Sequence, residues 1–316
     1  MLMEGVSFLL SLFAVLVALA IFFCSLFLLK ESLEALQPRV GPWLRRATGH
    51  PLQGALLGFL VTALIQSSSA TNSMVVGLVA AGVLRLKHAF AVILGANVGT
   101  TITGQIVALG LGDLGLPLLV AGFFLQWVPR PGIHAGGKAL MGVGGLFYGL
   151  WALGGSLAQL GAASGLGAFL AAAQASDGAS LAAGALLTAV VQSSSAVTSL
   201  LVGLADAGVL PVRAAIAATL GSNIGTVTTT ILASLSGGPL ARRAAWLDLG
   251  FNLLGALIAL VFMPYLAPWL AGLAVAPGRQ VAHAHTLFNV ITVAVALPFV
   301  DRIARLAGDQ ERSGRD

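Results

Sequence analysis

The run Thr62–Ala70, Thr-Ala-Leu-Ile-Gln-Ser-Ser-Ser-Ala, returns as Thr-Ala-Val-Val-Gln-Ser-Ser-Ser-Ala at Thr188–Ala196. The offset is 192 − 66 = 126. The same offset carries Ala81-Gly82-Val83-Leu84 onto Ala207-Gly208-Val209-Leu210, and Leu94–Thr100 onto Leu220–Thr226. Half of the positions from Gly54 to Thr103 are identical to their partners. A low-complexity chain repeats Ala, Gly and Leu, but it does not return Gln-Ser-Ser-Ser in register without a gap. The chain is therefore built on two copies of one structural unit.

Composition fixes the solvent in which the copies fold. Charged residues are only 9% of the chain and hydrophobic residues 58%, with a mean hydropathy of +0.97. A soluble domain is roughly a quarter charged, so this inventory cannot clothe a water-exposed surface. The apolar stretches are continuous rather than alternating, which favours membrane helices over a β-barrel. The 40 glycines fit such a bundle, because small residues let membrane helices approach closely. The first apolar stretch, Met1–Leu29, has no small-residue cleavage site in the usual place and is expected to be a retained helix. Its Cys24 is the only cysteine, which excludes an intrachain disulfide and a cysteine metal cluster.

Hydropathy predicts a first helix at about 6–29, a hairpin at about 51–84, and helices at about 88–110, 114–129 and 138–157. A second hairpin follows at about 180–211, then helices at about 214–235, 244–263 and 281–300. Two stretches stay open: the Ala/Gly-rich 158–179, and 264–280 with Pro264, Pro268 and Pro277. If each hairpin enters and leaves on one side, Lys30, Arg39, Arg45, Arg46, Arg85, Lys87, Arg130 and Lys138 share a face with Arg242, Arg243, Arg302, Arg305, Arg312 and Arg315. Only Arg213 and Arg279 fall opposite. The positive-inside bias puts the amino terminus outside and the carboxyl terminus in the cytoplasm of a multi-pass inner-membrane protein. The net charge of +5 is explained by this sorting and needs no nucleic-acid partner. An odd number of crossings separates the copies, so the second is expected upside down relative to the first. The expected division is a first inverted repeat over 1–137, a second over 138–263, and a terminal helix with a short tail over 264–316, with no room for a further domain.

Each copy sets a polar run inside an apolar stretch. Gln66-Ser67-Ser68-Ser69 and Gln192-Ser193-Ser194-Ser195 are expected at the tips of re-entrant hairpins, each made of two short helices that meet partway across the bilayer. A serine would cap the second half-helix, whose free N–H groups and dipole favour an anion. The other hydroxyls and the two Gln amides would donate to a small tetrahedral oxyanion. In Gly95–Thr100 and Gly221–Thr226 two glycines flank an Asn, which predicts local unwinding and a broken transmembrane helix. Freed carbonyls with Asn97, Thr100, Thr101, Asn223, Thr226 and Thr228 would then offer hard oxygen ligands to sodium.

Buried ionisable candidates are few. Asp206 stands where the first copy has Ala80, and is a candidate to balance a cation. Asp248 reads as a helix-end charge near Arg242 and Arg243. His283 and His285 precede Phe288-Asn289, an echo of Phe251-Asn252, and read as packing or interfacial groups. No buried run of Asp, Glu, Lys and His suggests a proton relay, which favours sodium over proton coupling.

The paired Gln-Ser-Ser-Ser and Gly-x-Asn-x-Gly-Thr segments, with Arg242-Arg243 leading into Phe251-Asn252, resemble the type II sodium-dependent phosphate cotransporters, including the bacterial members without a PhoU-like domain. The resemblance runs from about residue 50 to about residue 300. It implies an all-α polytopic membrane fold of two inverted repeats and a secondary transporter rather than an enzyme. Phosphate contact is implied for Gln66, Ser67, Ser68, Ser69, Gln192, Ser193, Ser194 and Ser195, and sodium binding for Asn97, Thr100, Asn223 and Thr226. Its partners would be inorganic phosphate, Na+ and the lipid bilayer. A homodimer is compatible with this pattern, which does not set the oligomeric state. Carriers of sulfate or a carboxylate, a passive channel, and an intramembrane serine hydrolase using His283 or His285 as base remain the alternatives.

Overall fold

The computed structural model describes residues 2–34, 50–160 and 175–309. Arg39, Arg45, Arg46, Arg312, Arg315 and the greater part of the open stretch 158–179 lie outside the described residues. All regular structure among the described residues is helical. Helix α1 (Leu2–Glu34) is followed by the hairpin of α2 (Pro51–Ile65) and α3 (Ser68–Ala80), then by α4 (Leu86–Val107). Helices α5 (Gly112–Leu125) and α6 (Pro131–Leu160) lead to a second hairpin, α7 (Asp177–Val191) and α8 (Ser194–Asp206). Helices α9 (Val212–Ser234), α10 (Gly238–Leu273), α11 (Pro277–Ala296) and the short α12 (Val300–Leu306) complete the chain.

Among the described residues, six spans are long and apolar enough to cross a bilayer. The hairpin helices are not among them. With 15 and 13 residues in each hairpin, they reach only about 20 Å at 1.5 Å per residue, against a hydrocarbon core of about 30 Å. Their starts are set locally. Pro51 opens α2 with the His50 ring accepting from Leu52 N–H, and Ser176 Oγ accepts from Ala179 N–H to open α7.

The long helix of each copy packs along the first helix of its own hairpin through glycines. A Cβ on Gly95 of α4 would overlap the Ala55 carbonyl of α2, and one on Gly58 would overlap Val92 in return. In the second copy Gly221 meets Leu181, and Gly184 meets Ala218. The copies also grip each other reciprocally, α3 on α9 and α8 on α4, an exchange of equivalent surfaces that a two-fold axis generates. Helix α6 is wedged between α1 and α5. Its Gly142, Gly145 and Gly149 lie against Leu29, Ser25 and Phe22, and its Gly137 and Gly144 lie against Gln126 and Leu119.

Three expectations need correction. Helices α4 and α9 are continuous through Gly95–Thr100 and Gly221–Thr226: neither is broken, because their glycines serve as packing notches whose helical hydrogen bonds stay closed. Helix α10 does not stop near 263. It runs through Pro264 and Pro268 to Leu273, since a membrane helix tolerates proline where its neighbours accommodate the lost hydrogen bonds. Helix α6 begins at Pro131 rather than near 138, with proline at the first helical position, where its missing N–H costs nothing.

The charges sort to the two ends of the bundle. At one end Lys87 pairs with Asp301 at 3.1 Å, Lys87 N–H donates to Asp309 at 3.1 Å, and Arg243 reaches the Gly308 carbonyl. At the other end Arg279 donates to the Ala108 carbonyl, and Arg213 forms a two-pronged pair with Asp177 at 2.7 and 2.8 Å. Two cavities of about 700 Å³ each open at this second end and share Gly110 and Asp206.

Candidate functional site: two tips and the polar nodes behind them

Each hairpin turns on a glutamine in the left-handed region. Gln66 has φ 54° and Gln192 φ 57°, the only non-glycine residues with positive φ among those described. Each glutamine's backbone N–H closes the first helix on Thr62 or Thr188. The next residue is extended and caps the second helix. Ser67 Oγ accepts from Ala70 N–H at 3.2 Å, and Ser193 Oγ accepts from Ala196 N–H at 3.3 Å. The N–H groups of Ser68, Ser69, Ser194 and Ser195 precede the first complete turn and have no intrahelical acceptor. They sit at the positive ends of α3 and α8.

The two tips meet. Ser69 Oγ donates to the Gln192 carbonyl at 3.3 Å, across 123 residues of sequence. Ser67, Ser68, Ser193, Ser194 and Ser195 are buried there, Gln66 and Ser69 are half-buried, and Gln192 is exposed. The Gln66 side chain is turned onto protein, with Oε1 accepting from Thr103 Oγ at 2.5 Å and Nε2 donating to the Ala63 carbonyl. The sequence had assigned both glutamine amides to a ligand, whereas Gln66 braces its own tip against α4.

Two polar nodes are buried in the bundle, the first reached from its tip by Asn72, one helical turn into α3. In the first, Asp248 of α10 is 1% exposed and accepts from four neutral donors on four helices. These are Asn252 Nδ2 at 2.8 Å, Asn72 Nδ2 at 3.3 Å, Thr230 Oγ at 3.3 Å and Asn97 Nδ2 at 3.4 Å. In the second, His285 of α11 is 0% exposed, and its Nε2 lies 3.1 Å from Asn223 Oδ1. Asn223 Nδ2 donates to Asn289 Oδ1 at 3.5 Å. Asn97 and Asn223 are partners under the offset of 126, and Asp248-x-x-Phe251-Asn252 mirrors His285-x-x-Phe288-Asn289. The nodes are built on corresponding positions, and the first has a carboxylate where the second has an imidazole.

The family profile described as Na+/Pi-cotransporter matches the chain twice, over residues 21–155 and 153–276. The chain belongs to the Na+/Pi-cotransporter family. Membership makes it a transport protein and not an enzyme. Among relatives of this Na+/Pi-cotransporter family member, the uncharacterized protein YqeW of Bacillus subtilis (strain 168) is 33% identical over 82% of this chain and 84% of its own length. YjbB of Escherichia coli (strain K12), provisionally named an inorganic phosphate export protein, is 31% identical over 78% of this chain, which spans 46% of YjbB. The human sodium-dependent phosphate transport protein 2B is 40% identical over 28% of this chain and 13% of its own. No solved structure matches.

In this Na+/Pi-cotransporter family member the residues expected to bind sodium separate. Asn97 and Asn223 fall into the two nodes. The hydroxyls of Thr100, Thr101 and Thr226 turn back onto the carbonyls of Ala96, Val98 and Ser222 in their own helices, and Thr228 is half-buried on α9. Asp206 is exposed at the far end of α8, twelve residues or about 18 Å from the tip, where it accepts from Gly278 N–H at 2.6 Å and caps α11. The node at Asp248 is what sequence reasoning missed. Its one signal was the echo of Phe251-Asn252 in Phe288-Asn289. Neither histidine hydrogen-bonds a serine: His283 Nδ1 lies 3.3 Å from Gln105 Nε2, and His285 faces Asn223.

A left-handed residue with a Cβ carries strain of about 1 kcal/mol, which glycine would relieve. Gln66→Gly is therefore expected to fold as well as the parent, with an unchanged or slightly higher Tm. It also removes the brace to Thr103 and should lower transport at least tenfold. A parallel loss of Tm and transport would show that the side chain matters only for folding.

Proposed function

We propose that this chain is a sodium-coupled secondary transporter of inorganic phosphate working by alternating access, with the anion held between the two Gln-Ser-Ser-Ser tips. The observation that carries the reading is the meeting of the tips at Ser69 and Gln192. It brings together two half-helix N-termini, each with first-turn N–H groups that have no intrahelical acceptor and with a run of serines. Such a pair stabilises an oxyanion without a fixed positive charge, and hydroxyls can accept from the proton of a hydrogenphosphate as well as donate to its oxygens. Family membership supports phosphate as the cargo, and the name of the human relative supports sodium as the coupling ion. With the tips in contact, anion binding requires them to part. The cavities beside Asp206 would be the approach on the outer side, the side that carries only Arg213 and Arg279 under the positive-inside rule.

The test is uptake of radiolabelled phosphate into proteoliposomes under an inward sodium gradient, with potassium at equal ionic strength as the reference. Saturable uptake in sodium alone is expected, unaffected by excess sulfate. Uptake indifferent to sodium would remove the coupling, and uptake of sulfate in place of phosphate would remove the cargo.

A further inference from the structure

We propose that the node at Asp248 is the sodium site, that it holds one ion per chain, and that the equivalent node at His285 holds none. The inference rests on the reading of the chain as a sodium-coupled carrier and gives that coupling an address. Asp248 is the one carboxylate in the buried set among the described residues, and no cationic side chain pairs with it there. A lone carboxylate in such surroundings is costly unless a partner charge accompanies it. Its neutral ring is also loose. Three of the four donors stand at 3.3–3.4 Å, beyond the usual 2.9–3.0 Å of a relaxed N–H···O contact. Asn72 and Asn252, each 1% exposed, keep their amide oxygens buried and without a hydrogen-bond partner. Buried acceptors are rarely left so.

These atoms form one set: a carboxylate, two orphaned amide oxygens and the Thr230 hydroxyl, which can also accept. They are hard oxygen donors carrying a single negative charge, which suits a small monovalent cation. Divalent calcium takes six to eight oxygens and commonly several carboxylates. A cation beside the carboxylate would neutralise it, and turning the Asn72 and Asn252 amides, whose nitrogens now face Asp248, would bring both orphaned oxygens toward it. Asn72 lies four residues into α3, so an ion held there fixes the half-helix whose N-terminus faces the tip contact.

In the second node no amide oxygen is orphaned, and the atom left without a hydrogen-bond partner is a ring nitrogen, His285 Nδ1. The oxygens of Asn223 and Asn289 are both engaged, by His285 Nε2 and by Asn223 Nδ2, and an imidazole stands where the first node has its carboxylate. The positions of Asn72 and Thr230 are taken by Thr198 and Gly104 under the offset. A set of oxygens has been replaced by a hydrogen-bond chain that ends on an imidazole nitrogen.

Equilibrium binding of radioactive sodium to the purified full chain, without phosphate, tests this. The parent should bind one sodium per chain. Asp248→Asn should weaken binding at least thirtyfold, and His285→Asn should leave the count at one. Asp248→Asn removes a buried charge, so in potassium it should melt at or above the parent and lose the parent's sodium-induced rise in Tm. Asn72→Leu keeps the carboxylate but deletes one amide oxygen, and should weaken sodium binding about tenfold. Normal binding by Asp248→Asn, or two sodium ions per chain with one lost in His285→Asn, would overturn the inference. If Asp248→Asn binds sodium normally while the parent moves phosphate with sodium, the site is wrong and the carrier stands. If the parent binds one sodium through Asp248 but moves no phosphate, the site stands and the carrier reading falls.

Discussion

Ser67→Asp should leave the protein folded and stop phosphate transport. Aspartate caps a helix about as well as serine, so the bond that Ser67 Oγ accepts from Ala70 N–H has a direct replacement and α3 keeps its start. The carboxylate would, however, occupy the positive end of the half-helix on which the anion depends. Two unit charges about 4 Å apart at an effective dielectric constant near 20 repel by about 4 kcal/mol, roughly a thousandfold in affinity. Ser67→Asn is the control, since it caps without charge and should retain most of the uptake. Ser67→Ala should instead lose about 1 kcal/mol of stability with the cap. Melting curves and phosphate uptake on the three variants separate cap from charge. Equal uptake by the Asp and Asn variants would place the anion elsewhere.

Gly95→Val and Gly221→Val should abolish assembly outright. The first added Cβ would land on the Ala55 carbonyl and the second on the Leu181 carbonyl, and neither backbone can give way without parting the helices. Overpacking in ordinary cores costs about 1–3 kcal/mol, and here the obstacle is main chain. Even Gly95→Ala should lower Tm measurably and reduce the monodisperse fraction in size-exclusion chromatography. Wild-type assembly with impaired transport would instead restore the reading of these glycines as hinges.

That pair of readings shows where the sequence is ambiguous. A glycine beside Asn97 can loosen a helix or admit a neighbour, and the residue alone carries the same letter for both. The neighbour, Ala55, is forty positions away and has no pattern of its own. The helix breaks after Ile65 and Val191 were legible for the opposite reason: a polar run interrupts an apolar stretch at two places with one spacing. The caps at Ser67 and Ser193 followed from local chemistry. The node at Asp248 did not, because its donors at 72, 97, 230 and 252 come from four helices and share no spacing. Beside Arg242 and Arg243 in the chain, Asp248 has the look of a surface charge; in space it faces inward. Gln66 was legible as a tip residue but not as a brace, since Thr103 approaches only once α4 is packed.

If transport proceeds by alternating access, as proposed, the unequal nodes bear on which way the empty protein rests. Two perfectly matched inverted halves would make the inward-open and outward-open forms mirror copies of equal free energy, with each populated half the time. Every departure from the repeat lifts that degeneracy, and each 1.4 kcal/mol shifts the ratio tenfold. The departures near the tips include Asp248 against His285, Asn72 against Thr198, Thr71 against Val197, Thr230 against Gly104, and a Thr103–Gln66 bond, whereas its counterpart Thr229 bonds to its own helix. On that reading the resting preference of the empty protein would lie in such pairs, and exchanging them between halves would reverse it.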